Sequence, residues 1–118
     1  MARRSGDLPR TRDALLASEL DRLIGYLRQQ DPPPERIILF GSYAWGERDP
    51  WADLDVVVVQ LTDLPFIQRT RHLLEDFDPR VAMDVLVYTP EEFAELSESR
   101  DFFKEEILAK GRVLYERE

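Results

Sequence analysis

Gly41 and Ser42 stand side by side, and ten residues separate them from the pair Asp53-x-Asp55. Each residue type brings a distinct capability. Glycine permits positive φ and lets a ligand approach the backbone closely. Serine offers a hydroxyl and its own N–H to a phosphate oxygen, and a helix start following it would add positive dipole character. Two aspartates two apart in a strand point to the same face. Held together there, they repel unless a cation lies between them, and Mg²⁺ suits all-oxygen ligands. These are the parts needed to hold a nucleoside triphosphate and its divalent metals.

Such residues work only if neighbouring elements position them. Arg36–Phe40 reads as a short buried strand before the motif. Leu54–Leu61 follows it as the clearest strand, because Val56–Val59 is an unbroken β-branched run. Continuous apolarity predicts that this strand is covered on both faces. Val81–Tyr88 predicts a third strand, with Val81, Met83, Val85 and Val87 on one face and Ala82, Asp84, Leu86 and Tyr88 on the other. Asp84 is then a lone charge in an apolar strand, costly to bury unless paired or metal-bound. Set beside Leu54–Leu61, it would join Asp53 and Asp55 in the three-carboxylate layout of a two-metal phosphoryl or nucleotidyl transfer site.

The rest of the pattern is helical. Leu15, Leu16, Leu20, Leu23, Ile24 and Leu27 give Thr11–Gln30 an amphipathic period, with Thr11 as N-cap and Asp31–Pro34 as the stop. Pro65–Phe77 predicts a helix burying Phe66, Ile67, Leu73, Leu74 and Phe77. Thr89-Pro90-Glu91-Glu92 is a capping box before Phe93–Glu98. Ser99–Lys110 predicts a last helix with Phe102, Phe103, Ile107 and Leu108 inward and Gly111 as its cap. Arg112–Tyr115 would add an edge strand. The order predicts an α/β (α+β) domain, a small mixed β-sheet flanked by helices lying on one side of it. Residues 1–10 are expected to form a flexible terminus and 11–118 a single domain.

Composition narrows the chemistry. A chain of 118 residues without cysteine has neither disulfides nor a thiolate metal site, and one histidine, His72, cannot make a multi-histidine zinc site. His72 reads as a helix-surface residue. The net charge of −8 argues against non-specific nucleic-acid binding and suits a basic protein partner. The longest apolar run is four residues, too short to span a membrane, and the start lacks a signal-peptide core. The cytosol is the default location.

The spacing Gly41-Ser42-x10-Asp53-x-Asp55 resembles the signature of the polymerase-β-like nucleotidyltransferases. Over roughly residues 12–115 the chain resembles their minimal branch, the MntA-type antitoxins paired with HEPN-domain toxins. The likeness includes Asp84 in Met83–Leu86 and the segments Phe102–Ile107 and Lys110–Tyr115. It implies the polymerase-β-like fold, with Gly41 and Ser42 holding the triphosphate of ATP. It further implies that Asp53, Asp55 and Asp84 bind two Mg²⁺ ions and that Asp84 accepts the proton of the attacking hydroxyl. AMP would pass to a tyrosine of a HEPN RNase toxin. Apart from the resemblance, the apolar residues near the C-terminus permit a homo- or hetero-oligomer. Ala52, where serine is common, and Trp45, where a basic residue is common, depart from the pattern. The competing expectations are an antitoxin that acts by contact alone and a small-molecule nucleotidyltransferase of the aminoglycoside-modifying kind.

Overall fold

The computed structural model describes residues 11–46 and 54–117. The expected flexible terminus, 1–10, and the candidate ligand Asp53 lie outside the described residues. Helix α1 spans Arg12–Arg28, followed by β1 Arg36–Phe40, the one-turn helix α2 Gly41–Ala44 and β2 Leu54–Val59. Then come α3 Phe66–Phe77, β3 Met83–Tyr88, α4 Pro90–Ser99, a π-helix over Phe103–Ala109 and β4 Arg112–Glu116. The caps read from the sequence form. Thr11 accepts from the Ala14 N–H at 3.0 Å. Thr89 accepts from the Glu92 N–H at 3.2 Å while Glu92 accepts from the Thr89 N–H at 2.9 Å.

The four strands lie in the order β3-β2-β1-β4. β2 and β3 are parallel, joined by the α3 crossover, and the β1 pairings to β2 and β4 are antiparallel. This is a mixed sheet of the expected class. The helices, however, cover both faces rather than one. Leu16, Leu20, Leu23 and Leu27 of α1 pack with Leu73 and Phe77 of α3 on Ile37, Leu39, Val56, Val58, Val85 and Val87. The opposite face buries Ile38, Phe40, Val57 and Val59 against Phe93, Phe103 and Ile107. The cause is the valine run itself. Alternate residues face opposite ways, so a fully apolar strand needs cover on each side.

Two helices turn differently from expectation. In α3 the inward stripe is Arg69, Leu73 and Phe77, which leaves Phe66 exposed and Ile67 78% exposed. In the π-helix, Phe103 and Ile107 lie inward, while Phe102 and Leu108 flank that stripe and remain exposed. Lys110, not Gly111, caps that helix. Gly111 is required for space, since a β-carbon there would overlap the Ile107 carbonyl and crowd the Ile38 side chain.

Two buried ionic groups tie the helices to neighbouring segments, and neither shows as a hydrophobic period. Glu19 on α1 is 1% exposed and takes both arms of Arg22 at 2.9 Å and the backbone N–H of Arg80. Arg22 in turn donates to the carbonyls of Phe77 and Asp78, where α3 ends in a left-handed residue. Arg69, 9% exposed, donates to the carbonyls of Leu64 and Val87 and forks onto Glu92. Each charge is desolvated but paired, the condition for tolerating it inside.

Candidate active site

The site begins where β1 ends. Gly41 has φ +80°, so the chain leaves the strand through a left-handed residue and winds directly into α2. The helix therefore starts at Gly41 itself and makes a single turn of four residues. Its dipole is correspondingly small. What it offers is the N–H groups of a first turn, which lack intrahelical acceptors, and the half-buried Ser42 beside them. Buried Tyr43 plugs this turn into the α1 face and fixes its direction.

Asp55 meets this turn from the neighbouring strand. Phe40 and Asp55 are paired across β1 and β2. A β-carbon on Gly41 would overlap Asp55 Oδ2 and lie 3.1 Å from its Cγ. Glycine is thus needed at residue 41 for two separate reasons, its φ and the carboxylate against its α-carbon.

Asp84 arrives from β3. The parallel register pairs Asp55 with Asp84, which puts both side chains on one sheet face on strands about 4.8 Å apart. That face is the one capped farther along by Phe93, Phe103 and Ile107. Asp84 is exposed to solvent, so the expectation of a buried charge does not hold. Edge strand β3 is uncovered at its start, and the case for Asp84 rests on its register with Asp55. Arg36 on β1 pairs with Glu116 at 3.1 Å.

Strand alternation would put Asp53 on the same face as Asp55, but residue 53 lies outside the described residues. Among the described residues no cluster of three or more His, Asp or Glu could hold a metal. The donor set that is visible, two aspartates in register, is all oxygen and suits a hard cation such as Mg²⁺. His72, the one nitrogen ligand, lines a separate polar cleft of about 370 Å³ with Gln60, Leu61 and Val87 at the far ends of β2 and β3. Five residues of strand, roughly 16 Å, separate that cleft from the carboxylates.

One contact at the site joins residues too distant in sequence to be paired by inspection. The Lys110 ammonium lies 5.4 Å from the centre of the half-exposed Trp45 ring and 3.3 Å from Glu106. Trp45 caps α2, so a cation stands beside the Gly41–Ser42 turn although residue 45 is not basic.

A family model for the nucleotidyltransferase domain matches residues 20–114, which include the turn, Asp55 and Asp84. The chain belongs to the nucleotidyltransferase domain family. Solved structures agree on the fold. A candidate nucleotidyltransferase from Sulfolobus solfataricus superposes with a TM-score of 0.60 at 15% identity, over 94% of this chain and 92% of that one. A tyrosine-to-alanine mutant of the toxin–antitoxin MntA–HpeT superposes with a TM-score of 0.50 at 22% identity, over 84% of this chain and 73% of that one. Among curated proteins no sequence match is significant. As a nucleotidyltransferase domain, the chain carries its Gly-Ser turn and both described carboxylates at one end of its sheet.

Proposed function

We propose that this nucleotidyltransferase moves AMP from ATP onto a hydroxyl of a protein acceptor, as the antitoxin of a pair whose toxin is a HEPN-domain RNase. The observation that carries the reading is the pairing of Asp55 with Asp84 directly beside the Gly41 turn. It puts the Gly41–Ser42 turn and an acidic pair at one end of the sheet. The likeness to MntA–HpeT supports the antitoxin setting, and the net charge of −8 suits a basic protein partner. ATP is available in the cytoplasm, where we place the reaction.

Gly41 and Ser42 bind and orient the triphosphate through backbone N–H groups and the Ser42 hydroxyl. Asp53, Asp55 and Asp84 would hold Mg²⁺, which supplies charge neutralisation of the phosphates when bound. Asp84, exposed at the strand edge, accepts the proton of the acceptor hydroxyl. That oxygen forms a bond to the α-phosphorus, the bond from the α-phosphorus to the bridging oxygen breaks, and pyrophosphate leaves.

The test is labelled ATP with Mg²⁺ and the HEPN-domain protein. Label should pass to a toxin hydroxyl with wild type and not with Asp55→Asn. An Asp55→Asn protein that still neutralises the toxin fully, with no AMP attached, would establish action by contact and end the catalytic reading. Label on an aminoglycoside with no protein present would redirect it to small molecules.

A further inference from the structure

A cation reaches the candidate site from the last helix rather than from the motif. Lys110 caps the π-helix, which packs through Phe103 and Ile107 on the face that bears the carboxylates. The chain then enters β4, where Arg112 pairs with Leu39, two residues before Gly41. β4 is antiparallel to β1, so the residues just before Arg112 lie toward the Gly41 end of the sheet. Gly111 allows this close passage, since a β-carbon there would crowd the Ile38 side chain. Lys110 thus shares with Asp55 both a face and an end of the sheet. Across that end the groups follow the strand order β3-β2-β1-β4. Asp84 and Asp55 stand on β3 and β2, the Gly41 turn leaves β1, and Lys110 leads into β4. Since β2 and β4 are two strand spacings apart, about 10 Å, the acids and Lys110 flank the turn from opposite sides.

The ammonium has two neighbours. It lies 5.4 Å from the centre of the Trp45 ring and 3.3 Å from Glu106, four residues back. Trp45 donates its backbone N–H to the Gly41 and Ser42 carbonyls at 3.2 Å each, so the residue carrying the ring is fixed to the turn. An indole face attracts a cation without neutralising it. The Lys110 side chain is 57% exposed, and an ion pair that open to water is weak. A polyphosphate offers several charged oxygens where Glu106 offers one carboxylate, so exchange of partners is favourable.

We propose that Lys110 grips the terminal phosphates of the nucleotide, and hence the pyrophosphate that departs, with the Trp45 ring positioning its ammonium. This rests on the transfer reading above and adds the residue that receives the leaving group. The α-phosphorus is attacked on the side of the acids, and the rest of the triphosphate runs past the turn toward Lys110. When the bond from the α-phosphorus to the bridging oxygen breaks, its electron pair stays on pyrophosphate. The charge that develops there falls on the Lys110 side, where a fixed cation stabilises it. Lysine does this as a point charge, so a second cation of similar length can replace it.

The test is calorimetry of the full chain with two probes, Mg²⁺–ATP and Mg²⁺–pyrophosphate. Lys110→Met keeps the stem and removes the charge. It should weaken both probes by at least about tenfold, the loss of a charge-assisted bond, with the thermal midpoint unchanged. Lys110→Arg should restore both to within about threefold of wild type, because it returns the charge. Trp45→Leu should cost about threefold with Lys110 present and nothing further in Lys110→Met, the coupling expected of a cation on a ring. Wild-type affinity of Lys110→Met for either probe overturns the proposal, and so does a loss in Lys110→Arg as large as in Lys110→Met. Equal costs of Trp45→Leu in the two backgrounds overturn the positioning role of the ring. Failure of the transfer reading has its own signature. Wild type that binds Mg²⁺–ATP through Lys110 yet passes no label to protein ends that reading alone. Wild-type affinity in Lys110→Met while label still reaches the toxin ends the Lys110 assignment alone. A wild-type chain with no affinity for Mg²⁺–ATP ends both.

Discussion

The α-carbon of Gly41 lies against the carboxylate of Asp55, so that a β-carbon at residue 41 would take the place of Oδ2. Gly41→Ala therefore meets two penalties, a left-handed φ and a displaced carboxylate. Together they should cost about 1–3 kcal/mol of stability. Adding Asp55→Ala to Gly41→Ala should return part of that loss, because the clash disappears while the φ strain stays. A double-mutant cycle in urea measures the coupling. Strict additivity of the two changes would show that the carboxylate does not press on residue 41.

Asp84 is exposed and Asp55 half-buried, so their functional and structural costs should separate. Asp84→Asn should leave the urea midpoint within about 0.5 kcal/mol of wild type. It should lower AMP transfer by at least about a hundredfold, about 3 kcal/mol of barrier. Calorimetry of ATP with and without chelator should show Mg²⁺-dependent affinity in wild type and loss of that dependence in Asp55→Asn. Equal affinity under both conditions would exclude the metal role.

Acid should weaken the fold through Glu19. The Arg22 guanidinium hydrogen-bonded to it holds its carboxyl below the ordinary 4.5, against the opposing effect of burial. A depressed folded pKa means stabilisation that is complete above 4.5 and is lost as pH falls through the folded value. Urea midpoints should thus be flat in Glu19 between pH 7 and 5 and decline below. Glu92, lowered by its bond to Arg69, adds to the decline with the same sign. Glu19→Gln should be less stable at pH 7 by about 2 kcal/mol and show a shallower acid slope.

Arg69 ties the loop before α3, strand β3 and the first turn of α4 through four hydrogen bonds. Arg69→Met keeps much of the apolar stem but removes the donors to the Leu64 and Val87 carbonyls and the fork on Glu92. A loss of about 2–3 kcal/mol is expected. Arg69→Lys should recover little of it, since an ammonium cannot serve the fork. Thermal denaturation compares the two, and full rescue by lysine would reduce the residue to a simple charge.

The elements were legible because their signals are local. Thr11, Thr89 and the prolines at 32–34 mark helix ends, and Val56–Val59 announces a covered strand. The Gly41, Ser42 and Asp55 part of the site was legible for the same reason. Asp84 was found by alternation, but its exposure was not foreseen, because edge position depends on strand order. Glu19 and Arg69 escaped notice since each looks like an ordinary charged residue on a helix. Only the partners delivered by distant segments make them interior. The Phe102 and Phe66 exposures were missed because aromatic residues at helical spacing resemble core until the winding of both helices is known.

The parallel pairing of Asp55 with Asp84 makes the acidic pair a matter of parity. Successive strand residues alternate faces, so a one-residue slip of β3 against β2 would send Asp84 to the side filled by α1 and α3. It would also bring Met83 or Val85 out beside Asp55. Additions to the 60–65 connection leave that count untouched, whereas a single insertion within 83–88 reverses it. The chain can thus vary widely in length around its crossover, yet its chemistry tolerates no odd-numbered change along that one strand.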